Sequence, residues 1–282
     1  MNEQKTIQLN VINFDKMRTA LPAEYNIIRF DSNNDCNVHC VYCHNERSSE
    51  LIELESFRFF LKEKVLGVRQ FQVGCVMEPT LDKRLCDFME AVAASPAPPR
   101  HGIRLQTNGI LLHRHEASRM VKAGLNLVTL SLDSVTGHTH KDLRGGTSLS
   151  KVARNIVEFR HACPDVSVCL ITTVTAANID EVDELVSWGL SEGVAGFRLR
   201  QMFHDFQSQV VDHEKMRRLE VTATAFAAMR ARIEASFAGR ADFTFLGEDY
   251  LMQERSNILQ RSLIAPQSDS NPSPASEVLG QS

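Results

Sequence analysis

Tyr25-Asn26-Ile27-Ile28-Arg29-Phe30, a β-branched and apolar run, leads through a short polar stretch into Asp35-Cys36-Asn37-Val38-His39-Cys40-Val41-Tyr42-Cys43-His44. The first segment reads as a strand. The second holds three cysteines within eight residues, close enough to converge on one metal centre without help from distant parts of the chain. Metal-binding thiols must be deprotonated, and thiolates, as soft donors, suit iron and zinc. Three thiolates can hold three irons of a four-iron, four-sulfur cluster and leave the fourth iron open to a small chelating ligand. The alternative is a zinc knuckle in which His39 or His44 adds a fourth ligand. Structural zinc more commonly uses two close pairs separated by a loop, so the present spacing favours iron-sulfur.

Working outward, short apolar runs alternate with helical-period segments, which reads as repeated βα units and a parallel sheet. After the cysteine loop a helix is expected over about Leu51 to Val65, with Leu54, Phe57, Leu61 and Val65 on one face. Strands follow at Gln70 to Val73, Ile103 to Gln106, Leu127 to Leu132, Val166 to Thr173 and Gly196 to Met202, six in all with the first. The intervening helices are expected at about Leu81 to Ala94, His113 to Ala123, Ser148 to Ala162 and Ile179 to Gly189. Ser95-Pro96-Ala97-Pro98-Pro99 is a firm boundary, since proline cannot continue a helix.

The reading is an α/β fold, a partial parallel (β/α)6 TIM-like barrel with a short C-terminal extension. Its parts are an N-terminal extension over 1–24, the partial barrel over 25–212 and a closing segment over 213–264, with a disordered tail over 265–282. The closing segment holds a long helix near His213 to Phe237 and a possible extra strand at Ala241 to Leu246. The tail is mostly Ser, Pro, Asn, Gln and Gly, with too few apolar groups to offset ordering entropy.

Composition narrows the function classes. The 282 residues are 43% hydrophobic and 23% charged, with a formal charge of −4, so the basic field of a nucleic-acid binder is missing. No apolar run approaches the roughly 20 residues of a membrane helix. The other four of the seven cysteines, Cys75, Cys86, Cys163 and Cys169, are scattered, and the sequence opens without a charged-then-apolar leader. Together these features point to a reducing, cytoplasmic setting with thiols used for metal or catalysis.

In a parallel barrel, functional residues lie at the carboxyl ends of the strands. Polar segments recur there: Gly74-Cys75-Val76-Met77-Glu78-Pro79-Thr80-Leu81, Thr107-Asn108-Gly109, Ser131-Leu132-Asp133-Ser134, Leu143-Arg144-Gly145-Gly146 and Thr173-Val174-Thr175-Ala176-Ala177-Asn178. Singly each has a plain reading. Glu78 can open a helix, Asn-Gly is a common turn, Arg144 can be solvated and Asn178 is well placed as a helix N-cap. Five in order at successive strand ends carry more weight.

With Cys36-x-x-x-Cys40-x-x-Cys43 and an aromatic before the last cysteine, these segments resemble the radical S-adenosylmethionine (SAM) superfamily. The resemblance implies one 4Fe-4S cluster on Cys36, Cys40 and Cys43 and an open iron that chelates SAM. It further implies reductive cleavage of SAM to a 5′-deoxyadenosyl radical, which abstracts hydrogen from a substrate. It places Tyr42 against the adenine, Gly74 and Glu78 at the SAM ammonium, and Arg144 at its carboxylate. Thr107, Ser131 and Leu199 are implied as further SAM contacts, although a core leucine is the plainer explanation of Leu199. Met77 stands where the family usually has a glycine.

Within the superfamily, the cysteine, Ser131-Leu132-Asp133 and Leu143-Arg144-Gly145 segments look most like SPASM-type peptide-modifying enzymes and the molybdopterin-biosynthesis GTP cyclase. Those carry C-terminal auxiliary-cluster cysteines, whereas no cysteine follows Cys169 here, so no such cluster is expected. The expected partners are a small-molecule or peptide substrate and a reductant such as flavodoxin or ferredoxin, with neither nucleic acid nor membrane. Cys75 is a candidate hydrogen donor to a substrate radical, and Arg104, Arg198, Arg200, His204 and Asp205 are charged candidates near strand ends. The competing reading is a non-catalytic iron-sulfur or zinc interaction protein on the same fold.

Overall fold

The computed structural model describes residues 5–11, 13–145, 147–240 and 243. The elements are β1 (Lys5–Leu9), α1 (Phe14–Arg18), β2 (Ala23–Phe30), α2 (Leu54–Lys64), β3 (Val65–Val73), α3 (Leu85–Ala93), β4 (Ile103–Thr107) and α4 (Ala117–Lys122). They continue with β5 (Leu125–Ser131), α5 (Gly137–Leu143), α6 (Leu149–Ala162), β6 (Ser167–Val174), α7 (Val182–Ser191), β7 (Gly196–Gln201), α8 (His213–Leu219) and α9 (Ala223–Ser236). All seven strands are parallel and pair in chain order from β1 to β7, a curled half-barrel in which each βα unit extends the sheet by one strand.

Alternate residues of each strand meet different environments. The helix side is apolar. There Phe30 of β2 stacks on Phe57 of α2 at 4.2 Å between centroids and meets Phe88 of α3 at 5.1 Å, and Phe71 of β3 joins the same cluster. Each buried phenylalanine contributes about 1.5–3 kcal/mol of transfer free energy, and ring pairs add about 0.5–1.5 kcal/mol. Leu105, Leu130, Leu170, Phe197 and Leu199 continue this layer. The opposite side, the lumen, buries Arg29, Gln72, Arg104, Thr129, Cys169 and Arg198.

The six expected strands are β2 to β7, and β1 is a seventh. It lies in the stretch expected to be an extension, and its apolar alternation is only Ile7 and Leu9, too short to register before its pairing with β2 is known. The helix expected over 213–237 is two helices, parted at Glu220-Val221-Thr222, where Thr222 accepts the Ala225 N–H as an N-cap. The expected strand at Ala241 to Leu246 falls outside the described residues apart from Phe243, which is in no strand, and the expected tail falls wholly outside them. Among the described residues no helix is long and apolar enough to cross a membrane.

Candidate active site

The cysteine loop follows β2 directly and is held by buried polar side chains that precede the first cysteine. Asp31 is 1% exposed, and its Oδ1 accepts the backbone N–H groups of Cys75, Val76 and Met77 at 2.8, 3.4 and 3.3 Å. Burial pushes its carboxyl up to about 6, against the lowering effect of those three donors. Asn33 donates to the Glu78 carbonyl at 3.1 Å and accepts the Asp35 N–H at 2.9 Å, while the Glu78 N–H donates to the Asp35 carbonyl at 3.0 Å. The loops after β2 and β3 are therefore stitched together. Within the cysteine loop Arg47 donates to the carbonyls of Cys36 and Val38, and the Cys43 N–H donates to the Cys40 carbonyl at 3.0 Å.

Glu78 ties β3 to β4. It is 2% exposed, and Oε1 accepts from the Thr80 N–H (3.1 Å), the Thr80 hydroxyl (2.5 Å) and the Thr107 hydroxyl (2.6 Å), while Oε2 accepts the Asn108 N–H (2.7 Å). Burial raises its affinity for a proton even so. Gly74 lets the chain turn out of β3: its φ is +80°, and a Cβ there would come within 2.2 Å of the Gln106 carbonyl oxygen. Asn108 reaches the cysteine loop, donating to Asn37 Oδ1 at 2.7 Å and facing Cys36 Sγ at 4.0 Å.

A third knot joins β5, β6 and the loop after α5. Asp133 Oδ2 accepts from the Tyr42 hydroxyl and from Arg144 Nη1 (3.1 Å), and Oδ1 accepts the Thr173 N–H (2.9 Å). Burial works against the charge on Arg144, but Tyr42, Cys40 and Asp133 hold its proton affinity well above the ordinary value. Gly145, at φ +66°, lets this loop touch the cysteine loop, since a Cβ would meet His39 O at 2.5 Å. Asn178 begins a short 3-10 turn, yet its side chain does not cap it. It donates instead to the carbonyls of Asp133 (2.7 Å) and Thr173 (3.0 Å), spanning the ends of two strands, which corrects the N-cap expectation.

These knots surround one cavity of about 320 Å³ at the carboxyl ends of the strands. Cys36, Cys40, Cys43, Tyr42, Cys75, Glu78, Thr107, Ser131, Arg144 and Arg200 all line it. Two expected contacts do not. Gly74 lies behind the lining, which begins at Cys75. Leu199 is fully buried in the apolar layer facing the helices, because strand alternation turns Arg198 and Arg200, not Leu199, to the lumen. His204 pairs with Glu220 Oε1 at 2.7 Å and with His213 at 2.9 Å, and Asp205 accepts the Gln207 N–H at 2.9 Å, both away from the lining. Asp31, Asn33, Asn108 and Asp133 are further site residues, of which Asn108 and Asp133 fall within the polar strand-end segments and Asp31 and Asn33 precede the cysteines. Their signal is the unusually polar run 31–35 after a strand and the aspartate closing Ser131-Leu132-Asp133.

The donor set fits a polynuclear iron-sulfur group. Burial pushes the Cys36 thiol up to about 11 and raises that of Cys40, so ionising them calls for a strong positive centre. The Asn45 amide, 3.6 Å from Cys43 Sγ, and the Asn108 amide toward Cys36 direct N–H donors at sulfur. Among the described residues no three His, Cys, Asp or Glu side chains are arranged around a single metal ion. His44 Nε2 lies 3.2 Å from the Phe203 carbonyl.

Residues 32–189 match the model of the radical SAM superfamily. The chain belongs to this superfamily. Among its radical SAM relatives are a GTP 3′,8-cyclase of Desulforamulus reducens, 32% identical over 46% of this chain and 41% of that protein, and a probable GTP 3′,8-cyclase of Archaeoglobus fulgidus, 31% identical over 57% and 53%. The chain thus matches about half the length of these relatives. In fold it resembles Streptococcus suis SuiB bound to S-adenosylmethionine, with a TM-score of 0.61 and 13% identity over 84% of this chain and 53% of that one. It also resembles anSMEcpe with bound AdoMet, with a TM-score of 0.57 and 18% identity over 77% and 58%. At the position where the radical SAM pattern usually has glycine, Met77 needs no left-handed backbone, since no described non-glycine residue has positive φ.

Proposed function

We propose that this chain is a radical SAM enzyme acting on a small molecule or a peptide. The observation that carries the reading is the convergence on one cavity of the three thiols with Glu78, Thr107, Ser131 and Arg144, contributed by five loops and strand ends. Cys36, Cys40 and Cys43 would hold three irons of a 4Fe-4S cluster, and the loop offers no fourth cysteine. When bound, the cluster and SAM together supply one-electron cleavage of the sulfonium to methionine and a 5′-deoxyadenosyl radical that removes hydrogen from the substrate.

The protein's own share is positioning and exclusion of water. Glu78 Oε2 accepts a single internal bond and keeps acceptor capacity for an ammonium. Asp133 fixes both the Tyr42 hydroxyl and one arm of the Arg144 guanidinium, so ring and cation are presented in a set orientation. Cys75 lines the cavity, and burial pushes its thiol up to about 12, which keeps the S–H intact at neutral pH as a hydrogen donor must. A small one-electron reductant protein such as flavodoxin or ferredoxin would supply the electron. On substrate, the sequence relatives are named for GTP, and the same fold appears in SuiB bound to its precursor peptide SuiA.

Anaerobic reconstitution with iron and sulfide tests the reading. With SAM and dithionite the wild type should release 5′-deoxyadenosine, and deuterium should move into it from the true substrate. Failure to take up iron and sulfide, or uptake without any SAM cleavage, overturns the proposal.

A further inference from the structure

The segment from β7 to α9 carries a chain of polar side chains outside the site described above. His204 has 4% of its side chain exposed, and its Nδ1 lies 2.7 Å from Glu220 Oε1. Its Nε2 lies 2.9 Å from His213 Nδ1, and His213 Nε2 lies 2.9 Å from the Ser208 carbonyl. The protons of this chain can be counted. A carbonyl only accepts, so His213 Nε2 must carry a hydrogen, and in a neutral ring that leaves Nδ1 as an acceptor. His204 then donates through Nε2, and a neutral His204 has no second hydrogen for the Glu220 carboxylate, which also only accepts. The three contacts need three hydrogens, whereas two neutral imidazoles and a carboxylate hold two. One added proton completes the chain. Its end lies beside the cavity: Phe203, adjacent to His204, lines the cavity while 73% exposed, and its carbonyl lies 3.2 Å from His44 Nε2. Phe206 covers His204 with 4.0 Å between ring centroids.

We propose that His204, His213 and Glu220 form a one-proton latch that holds the 203–213 loop, and with it the Phe203 wall of the cavity, so that the cavity responds to pH. Imidazole is the side chain whose charge ordinarily changes near neutral pH. With the proton bound, the His204–Glu220 contact is charge-assisted. With the proton lost, one of the three contacts has no hydrogen, and a buried polar atom left without a partner costs free energy, so the loop loosens. The other titratable groups at hand are Asp205 beside His204, Asp212 and Glu214 flanking His213, and His44 against the Phe203 carbonyl. Asp205 accepts the Gln207 N–H, and Asp212 caps α8 through the N–H groups of Glu214 and Lys215. The segment after β6, whose Ala176 N–H donates to the Leu219 carbonyl, brings no titratable side chain over 174–178. None of the three latch side chains lines the cavity, so they are positioning residues. The latch stands on its own geometry, whereas its effect on what the cavity binds rests on the radical SAM reading.

Hydrogen exchange of the full-length chain, followed by mass spectrometry on peptides spanning 203–213 and corrected for base catalysis of exchange, tests the latch at about pH 6 and about pH 9. Wild-type protection there should fall at least about tenfold from the lower pH to the higher, while peptides from β4 and β5 keep theirs. Glu220→Gln should stay protected at both, because the amide N–H₂ supplies the missing hydrogen to His204 Nδ1 and all three contacts close with neutral rings. A cluster that is merely structural would lose protection in Glu220→Gln at both pH values, and a response driven by His44 would survive that substitution; either result overturns the proposal, as does wild-type protection that does not fall. In reconstituted protein the SAM dissociation constant should rise more between the two pH values in the wild type than in Glu220→Gln. An equal change in both overturns the link between latch and cavity. Protein that takes up no SAM at either pH fails the radical SAM reading instead, and exchange alone then decides the latch.

Discussion

The two faces of the β-sheet share the same strands and differ in almost everything else. On β7, Phe197 and Leu199 are fully buried against helices, while Arg198 and Arg200, one residue out of phase, face the lumen. On β4 Leu105 packs in the same apolar layer, and Arg104 on the other side meets Thr129. Burial by itself therefore says little about role in this molecule. The helix-facing side is apolar and supplies stability, whereas the lumen side holds buried polar groups whose desolvation costs free energy unless partners or ligands compensate.

If that division is right, the largest effect should come from the lumen side and fall on chemistry. Cys40→Ala should reduce 5′-deoxyadenosine release to background and lower the iron content, with folding of the metal-free chain, followed by circular dichroism, nearly unchanged. The mirror experiment is Phe71→Ala on the helix side, which should cost about 3–5 kcal/mol in denaturant unfolding while folded enzyme keeps its SAM cleavage per iron. Loss of specific activity without loss of stability there would break the comparison.

Glu78 sits on the boundary, since its carboxylate both lines the cavity and accepts four internal donors. Glu78→Gln places an amide N–H₂ among groups that all donate, so it should destabilise by about 1–3 kcal/mol and raise the SAM dissociation constant as well. Stability loss with unchanged SAM affinity would assign Glu78 to architecture alone.

The smallest effects are in pH dependence, and two buried groups should give opposite slopes. Burial lowers His140 from 6.5 to about 4, so the native state holds fewer protons, and its contribution to stability is lost as pH falls from 6.5 through 4. Burial raises Asp31 from 3.8 to about 6, so the native state holds more protons, and its contribution is lost as pH rises from 3.8 through 6. Unfolding midpoints between these limits should show wild type losing ground to His140→Gln on acidification, and losing ground to Asp31→Asn on raising the pH. Slopes of the same sign would refute the assignment of at least one group.

Much of this was legible in local pattern. β2 to β7 announce themselves as apolar runs, and the cysteine spacing marks a cluster loop, because both depend on neighbours in the chain. β1 did not, since a five-residue strand with two apolar side chains becomes a strand only through β2. The break at 220–222 was hidden by helix-forming residues on both sides. Asn178 looked like a cap from its position, but its amide reaches Asp133, 45 residues away in sequence.

By itself the sequence determined the parallel βα architecture and the three cysteines, which follow from hydrophobic period and ligand spacing along a few residues. The tertiary structure alone decided which residues of β7 face the lumen, and that Asp31, Asn33 and Asp133 hold the site loops together. The physical reason is that strand alternation specifies two faces without naming them. Only packing of the helices onto one face, and closure of distant loops over the other, makes Leu199 core and Arg200 part of the cavity.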